Sequence, residues 1–103
     1  MVRAYTVMVT PLAESDLQAI YAYLAADSEA IADLVYTELL KSIASLSRLP
    51  ERFPFARDRR LRRALVRAAT AVSYRVYYVV EGPTVRVLRV WHTARRPPPR
   101  PLT

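Results

Sequence analysis

Two residue types in this chain could do chemistry: a single histidine, His92, and fifteen arginines. An imidazole titrates near neutrality and can move a proton. A guanidinium keeps its charge and presents a planar fork of donors that matches a phosphate or a carboxylate. The chemistry within reach is therefore proton transfer at an anionic group, or recognition of one. Other classes drop out. There is no cysteine, which removes disulfides, thiol catalysis and the usual structural zinc sites together. One histidine cannot build a multi-histidine metal site, and a single glycine argues against a Gly-rich phosphate loop. No cofactor is expected.

The net charge of +7 is unevenly placed. Residues 1–51 carry Arg3, Lys41 and Arg48 against seven acidic side chains, a net of −4. Residues 52–103 carry thirteen arginines against Asp58 and Glu81, a net of +11. Such asymmetry suits a polyanion or an acidic protein as partner. The densest stretch, Arg57-Asp58-Arg59-Arg60-Leu61-Arg62-Arg63, reads equally as a solvated basic run and as a binding surface. Arg67, Arg89 and Arg96 extend the candidate partner- or nucleic-acid-binding set: Arg57, Arg59, Arg60, Arg62, Arg63, Arg67, Arg89 and Arg96.

These side chains need elements to position them. At 103 residues, 52% of them hydrophobic, the chain suits one domain, read as residues 1–96 with a Pro-rich tail over 97–103, the stretch from Arg95 being expected extended or disordered. Residues 3–9 alternate like a strand. Thr10-Pro11 then reads as an N-cap with proline at the first helical position. Ala13, Leu17, Ile20, Tyr21 and Leu24 form one apolar helical stripe. Asp27-Ser28 can cap a second helix over roughly residues 29–48, with Ala32, Val35, Tyr36, Leu39, Ile43 and Leu46 facing a core. Pro50 and Pro54 end it. Residues 61–67 are expected as a strand. Residues 72–80 and 84–91 make a hairpin about Glu81-Gly82-Pro83. The fold class is α+β in the order β-α-α-β-β-β, with a helical hairpin on one face of a mainly antiparallel sheet. The opposite face is expected to carry polar and basic side chains. Phe53 and Phe55 are expected to plug the sheet edge, and Tyr21, Tyr36, Tyr74 and Tyr78 to lie in the core. No apolar run approaches the roughly 20 residues of a membrane span, and the N-terminus lacks a signal-peptide core. A soluble cytoplasmic protein, with no membrane partner, is the expectation.

Four segments resemble the RelE/ParE superfamily of type II toxin–antitoxin toxins, also known as plasmid stabilisation proteins. Val9-Thr10-Pro11-Leu12-Ala13-Glu14-Ser15-Asp16-Leu17 is similar to the family's strand-to-helix junction. Ile43 through Pro50, with Phe53-Pro54, resembles the end of its second helix. Tyr74-Arg75-Val76-Tyr77-Tyr78-Val79-Val80 resembles its central strand. Val87 through Arg96 resembles its last strand, where a histidine and a nearby arginine close the domain. The four lie in the family's order and span nearly the whole chain. The resemblance implies a growth-inhibiting toxin neutralised by a cognate antitoxin with an acidic toxin-binding segment. It leaves two targets: DNA gyrase, poisoned by protein contact without catalysis in ParE-like members, and ribosome-bound mRNA, cut by RelE-like members. A shared scaffold can carry both, so the residues must decide.

Metal-independent RNA cleavage needs activation of a ribose 2′-hydroxyl, stabilisation of charge at phosphorus and protonation of the leaving oxygen. The candidates are His92 as acid or base, with Arg75 and Arg95 on phosphate. Arg63 and Arg67 could add basic contacts, and Glu51 or Asp58 could act as a base. The tyrosine or second proton-transfer group typical of the family's nucleases near the C-terminus is absent, because Thr93 follows His92 and no aromatic residue comes later. A lone histidine closing a strand is more often a structural or partner-binding residue, and Arg75 could pair with Glu81 or a helix carboxylate. The reading favoured is the ParE-like toxin; the alternative is the ribosome-dependent endoribonuclease.

Overall fold

The computed structural model describes residues 3–99. Its elements are β1 (Thr6–Val9), α1 (Pro11–Ala25), α2 (Glu29–Ser45), a 3₁₀ turn (Pro50–Arg52), α3 (Arg59–Arg63), β2 (Arg67–Ala71), β3 (Tyr74–Glu81) and β4 (Thr84–His92). The α+β class and the helical hairpin are as expected. The sheet runs β1-β4-β3-β2, with β1 parallel to β4 and the other pairs antiparallel. The first strand is shorter than residues 3–9; Ala4 makes only an isolated bridge to Arg48.

Both long helices start where a side-chain oxygen is available. The Thr10 hydroxyl accepts from Ala13 N–H and donates to the Val87 carbonyl at 2.8 Å, joining the start of α1 to β4. Ser28, rather than Asp27, caps α2 by accepting from Ile31 N–H. The second helix stops at Ser45 because Leu46, Ser47 and Arg48 tighten into three-residue turns. The Arg52 guanidinium then closes over its C-terminal end, donating to the carbonyls of Ser45, Arg48 and Leu49. Arg48 and Leu49 lie just past the helix, and a cation over its C-terminal end suits the helix dipole.

The main core lies between the hairpin and the sheet. Leu17 of α1 and Leu39, Ile43 and Leu46, from α2 and its end, pack on Val76, Tyr78, Val85, Val87 and Val90. Tyr74 and Tyr78 are buried as expected, whereas Tyr21 and Tyr36 are half-buried and meet edge-on, with the Tyr21 hydroxyl donating to Asp33 at 2.6 Å. Val87 and Val90 both face the hairpin, which strict alternation forbids for residues three apart. A β-bulge allows it: Tyr78 pairs with Val87 and Tyr77 with Arg89, leaving Leu88 as the extra residue.

Three expectations need correction. Residues 61–67 are not a strand; Arg59–Arg63 is a short helix capped by Asp58, and the strand begins only at Arg67. The sheet face away from the hairpin is not simply polar and basic, because α3 and its flanks cover it with Ala56, Leu61 and Val66 packed on Tyr77 and Leu88. The described part of the proline tail is neither free nor simply extended: Pro98 is fully buried, and the Trp91 indole donates to the Arg96 carbonyl at 2.6 Å, while residues 100–103 lie outside the described residues. Phe53 packs against the main core, while Phe55 bridges to Arg67 at the β2 edge and stays partly exposed.

Candidate functional site

His92 closes β4 and sits opposite Tyr74 of β3 in register. The two rings meet edge to face, with centroids 5.1 Å apart. The chain then turns sharply. Ala94 N–H donates to His92 Nδ1 at 3.0 Å, Arg95 N–H to the His92 carbonyl at 3.0 Å, and Thr93 N–H to the Ser73 carbonyl at 2.9 Å. A backbone amide can only donate, so Nδ1 carries no proton and the neutral ring holds its hydrogen on Nε2. Such an imidazole is a donor. To accept a proton at Nε2 it would have to carry its own on Nδ1 and lose the bond from Ala94.

The turn also places Arg95. Its guanidinium lies 3.7 Å from the centre of the Trp91 ring, and that of Arg89 lies 4.5 Å from it. Arg89 is no surface residue: it is 9% exposed, and its Nε and Nη2 reach Asp16 of α1 at 2.7 and 2.9 Å. Val90 N–H adds a third bond to the same carboxylate at 3.0 Å. Arg89 therefore leaves the expected partner-binding set, because its charge is neutralised inside the fold. Between α1 and the end of β4 lies a cavity of ≈ 500 Å³ lined by Ile20, Tyr23, Tyr74, Trp91, His92 and Arg95, among others.

Arg75 is placed apart from this cavity. It pairs in register with Trp91, one residue out of phase with Tyr74 and His92, so its side chain leaves the sheet on the opposite face. There it donates to the Thr93 carbonyl at 3.4 Å and lines a separate hollow of ≈ 370 Å³ with Tyr77, Asp58 and Pro97. Glu81, its suggested partner, pairs with Arg86 instead. His92 and Arg95 are thus brought together, and Arg75 is not.

The basic run divides similarly. Arg57, Arg59, Arg62, Arg63 and Arg96 are exposed, with no carboxylate within ion-pair distance among the described residues. Arg60 meets Asp58 at 3.5 Å. Arg67 is structural: it donates to the carbonyls of Glu51 and Phe53 and stacks on Phe55. Asp58 caps α3, and the Leu61 amide that bonds it, with Arg60 beside it, holds its carboxyl below the usual range. A carboxylate so held is a weak base. Tyr74, which sequence reasoning placed only in the core, sets its ring edge to face against His92. Burial, reinforced by Tyr23, raises its pKa and keeps it protonated. Nothing in the sequence marks the Asp16–Arg89 pair, whose members lie 73 residues apart.

The elements build a small α+β domain with a helical hairpin on a four-stranded sheet and exposed arginines about α3 and after β4. The family model "ParE toxin of type II toxin-antitoxin system, parDE" matches residues 7–97, and the chain belongs to that family, within the RelE/ParE superfamily. Its fold is similar to a chain of a chromosomal ParDE toxin–antitoxin system from P. aeruginosa, with a TM-score of 0.72 at 18% identity, over 87% of this chain and 97% of that one. It is also similar to a chain of the RelBE2 toxin–antitoxin complex from Mycobacterium tuberculosis, with a TM-score of 0.61 at 30% identity, over 89% and 94% of the two chains. No curated protein matches it significantly. Among the described residues no helix is long and apolar enough to cross a membrane.

Proposed function

We propose that this toxin arrests growth in the cytoplasm by binding DNA gyrase through protein contact, without chemistry of its own, and that a cognate antitoxin with an acidic segment neutralises it. One observation carries the non-catalytic reading: His92 Nδ1 is engaged by Ala94 N–H, which leaves the ring a donor rather than a base. The placement of Arg75 on the other sheet face supports it, since the phosphate-stabilising cations and the proton carrier are not gathered at one point. The exposed arginines of α3 remain available for an acidic protein surface.

The endoribonuclease reading retains one favourable observation, the contact of Tyr74 with His92 beside Arg95. Brief induction of His92→Ala, with sequencing of RNA 5′ ends and mapping of gyrase-linked DNA breaks, separates the two. Growth arrest and DNA breaks should persist in the variant, with no codon-positioned RNA cuts in either protein. Arrest lost together with such cuts, in a variant that still folds, would replace this reading with the nuclease.

A further inference from the structure

The short helix α3 sorts its residues by side. With 3.6 residues per turn, Arg59, Arg62 and Arg63 fall on one side and Leu61 on the other. Leu61 is fully buried and packs with Val66, Tyr77 and Leu88, which turns the three guanidiniums outward. Arg57 precedes the helix and lines a hollow with Pro97, so Arg96, one residue earlier, joins the same surface. All five arginines are exposed, and none has a carboxylate within ion-pair distance among the described residues. The acidic residue inside the run, Asp58, is engaged by the amides of Arg60 and Leu61 and by the Arg60 guanidinium. The backbone beneath is also held: the Trp91 indole donates to the Arg96 carbonyl, and Ala56 N–H to the Val66 carbonyl.

Three classes of anion could meet such a face: an acidic protein, a single nucleic acid strand or a duplex. A protein interface has an apolar or aromatic centre depleted of charge. The outward side of α3 offers only arginine, and the exposed Leu65 beyond its end is too little for such a centre. A single strand is gripped by stacking its bases on aromatic rings. The rings near these arginines are already engaged: the Arg67 guanidinium lies 4.0 Å from the centre of Phe55, that of Arg95 3.7 Å from the centre of Trp91, and Tyr77 is 4% exposed. A duplex asks for neither feature. It presents a charge about every 3.4 Å along each strand. Arg59 to Arg63 covers about 6 Å of helix axis, enough for two or three consecutive phosphates.

We propose that the arginine face of α3, with Arg57 and Arg96, binds the phosphate backbone of duplex DNA without selecting a sequence. Such contact would hold the toxin on the substrate of gyrase. It rests on the gyrase reading for that cellular setting alone, because the binding itself is measured on the free toxin with bare DNA. The probe is a fluorescein-labelled duplex of mixed sequence and about 30 base pairs, followed by anisotropy across a salt series. At about 0.9 per phosphate neutralised, four to five contacts give log K against log salt a slope of about −3.5 to −4.5. Arg59→Gln, Arg62→Gln and Arg63→Gln together keep Asp58 and Leu61. They should flatten the slope by about 2.7 and weaken binding at low salt more than about tenfold. Arg3→Gln, Lys41→Gln and Arg48→Gln remove the same charge from the first half of the chain and should weaken it by less than about threefold.

A wild-type slope flatter than about −1 overturns the proposal, and that measurement stands even if the α3 variant fails to fold. Equal weakening by the two triple variants overturns it too, since net charge alone would then be at work. So does tighter binding of the single strand than of the duplex, or a preference above about tenfold between unrelated duplexes, which backbone contact does not produce. An α3 variant that loses purified gyrase but keeps the duplex returns this face to a protein partner. A wild-type toxin that binds the duplex but not gyrase leaves the DNA contact standing and removes the gyrase reading.

Discussion

Consider Asp16→Asn, which keeps the shape of the side chain and removes its charge. In the fold, Asp16 is 12% exposed in its side chain and Arg89 11%, and the carboxylate receives three donors at 2.7 to 3.0 Å. An asparagine oxygen can still accept from Val90 N–H, but the guanidinium loses its counter-charge and at least one acceptor. Stranding one member of a buried pair costs about 3–5 kcal/mol, and the retained amide puts this variant near the lower end. For a domain of this size a loss of about 3 kcal/mol lowers the melting temperature by roughly 12–24 °C. It is also a large share of the roughly 5–15 kcal/mol that holds a typical domain together.

Urea and thermal unfolding, followed by circular dichroism and Trp91 emission, measure it. Adding Arg89→Met to Asp16→Asn removes the stranded cation while the amide still serves Val90. The double variant should recover most of the loss. A single-variant loss below about 1 kcal/mol, the range of solvent-exposed pairs, would refute the claim that this pair is buried and anchors α1 to β4. Failure of Arg89→Met to recover stability would show instead that the arginine stem, packed near Trp91, matters more than its charge.

Two further perturbations follow from single residues. The Tyr78 hydroxyl is buried and donates to the Pro50 carbonyl, and burial pushes its pKa up to about 12. The unfolded phenol ionises near its ordinary value of about 10, so above that pH the unfolded chain binds fewer protons and stability falls as pH rises. Denaturation between pH 9 and 12 should show a decline that is smaller in Tyr78→Phe by on the order of 1–2 kcal/mol, the raised Tyr74 phenol supplying part of what remains. Tyr78→Phe should itself cost about 1–3 kcal/mol at neutral pH, by leaving the Pro50 carbonyl unpaired; equal pH slopes in the two proteins would contradict this. The β2–β3 turn places Val72 at φ +43° and Ser73 at φ +72°, the left-handed region that a β-branched residue resists. Val72→Asn with Ser73→Gly should therefore stabilise the fold by about 1 kcal/mol, read as a raised melting temperature.

Where the chain uses local signals, the fold was legible. Thr10-Pro11 marked the start of α1, the 3.6-residue stripes marked both long helices, and Gly82, at φ +56°, marked the β3–β4 turn. The failures share a cause: the deciding interaction is distant in sequence. Arg59–Arg63 has one apolar residue in five, so no periodicity announces a helix; Leu61 forms it by filling the space against Val66, Tyr77 and Leu88. The Val72-Ser73 turn has neither Gly nor Asn to reveal it. The parallel pairing of β1 with β4 joins residues nearly eighty positions apart, from Thr6 with Thr84 to Val9 with Val87. The site was half legible. His92 and Arg95 are close in sequence and were read together, whereas Tyr74 and Asp16 reach them only through the sheet and α1.

The arginine excess takes on a different meaning once each guanidinium has a place. Arg52, Arg67 and Arg75 donate to backbone carbonyls, a use in which lysine would lack the planar fork. Arg60, Arg86 and Arg89 are matched to Asp58, Glu81 and Asp16. What remains with neither a carboxylate nor a carbonyl partner, among the described residues of the second half, is Arg57, Arg59, Arg62 and Arg63 about α3, and Arg95 and Arg96 after β4. These two groups, distant in sequence, approach one another in space, because Pro97 shares a hollow with Arg57 and Asp58. Among the described residues, the arginines left without a partner therefore gather about α3 and the end of β4 rather than spreading over a sheet face. A partner recognised by charge should engage that end first. The short helix that carries these arginines is held by the Asp58 cap and by Leu61 buried beneath it, which ties the electrostatic surface to the packing of one apolar side chain.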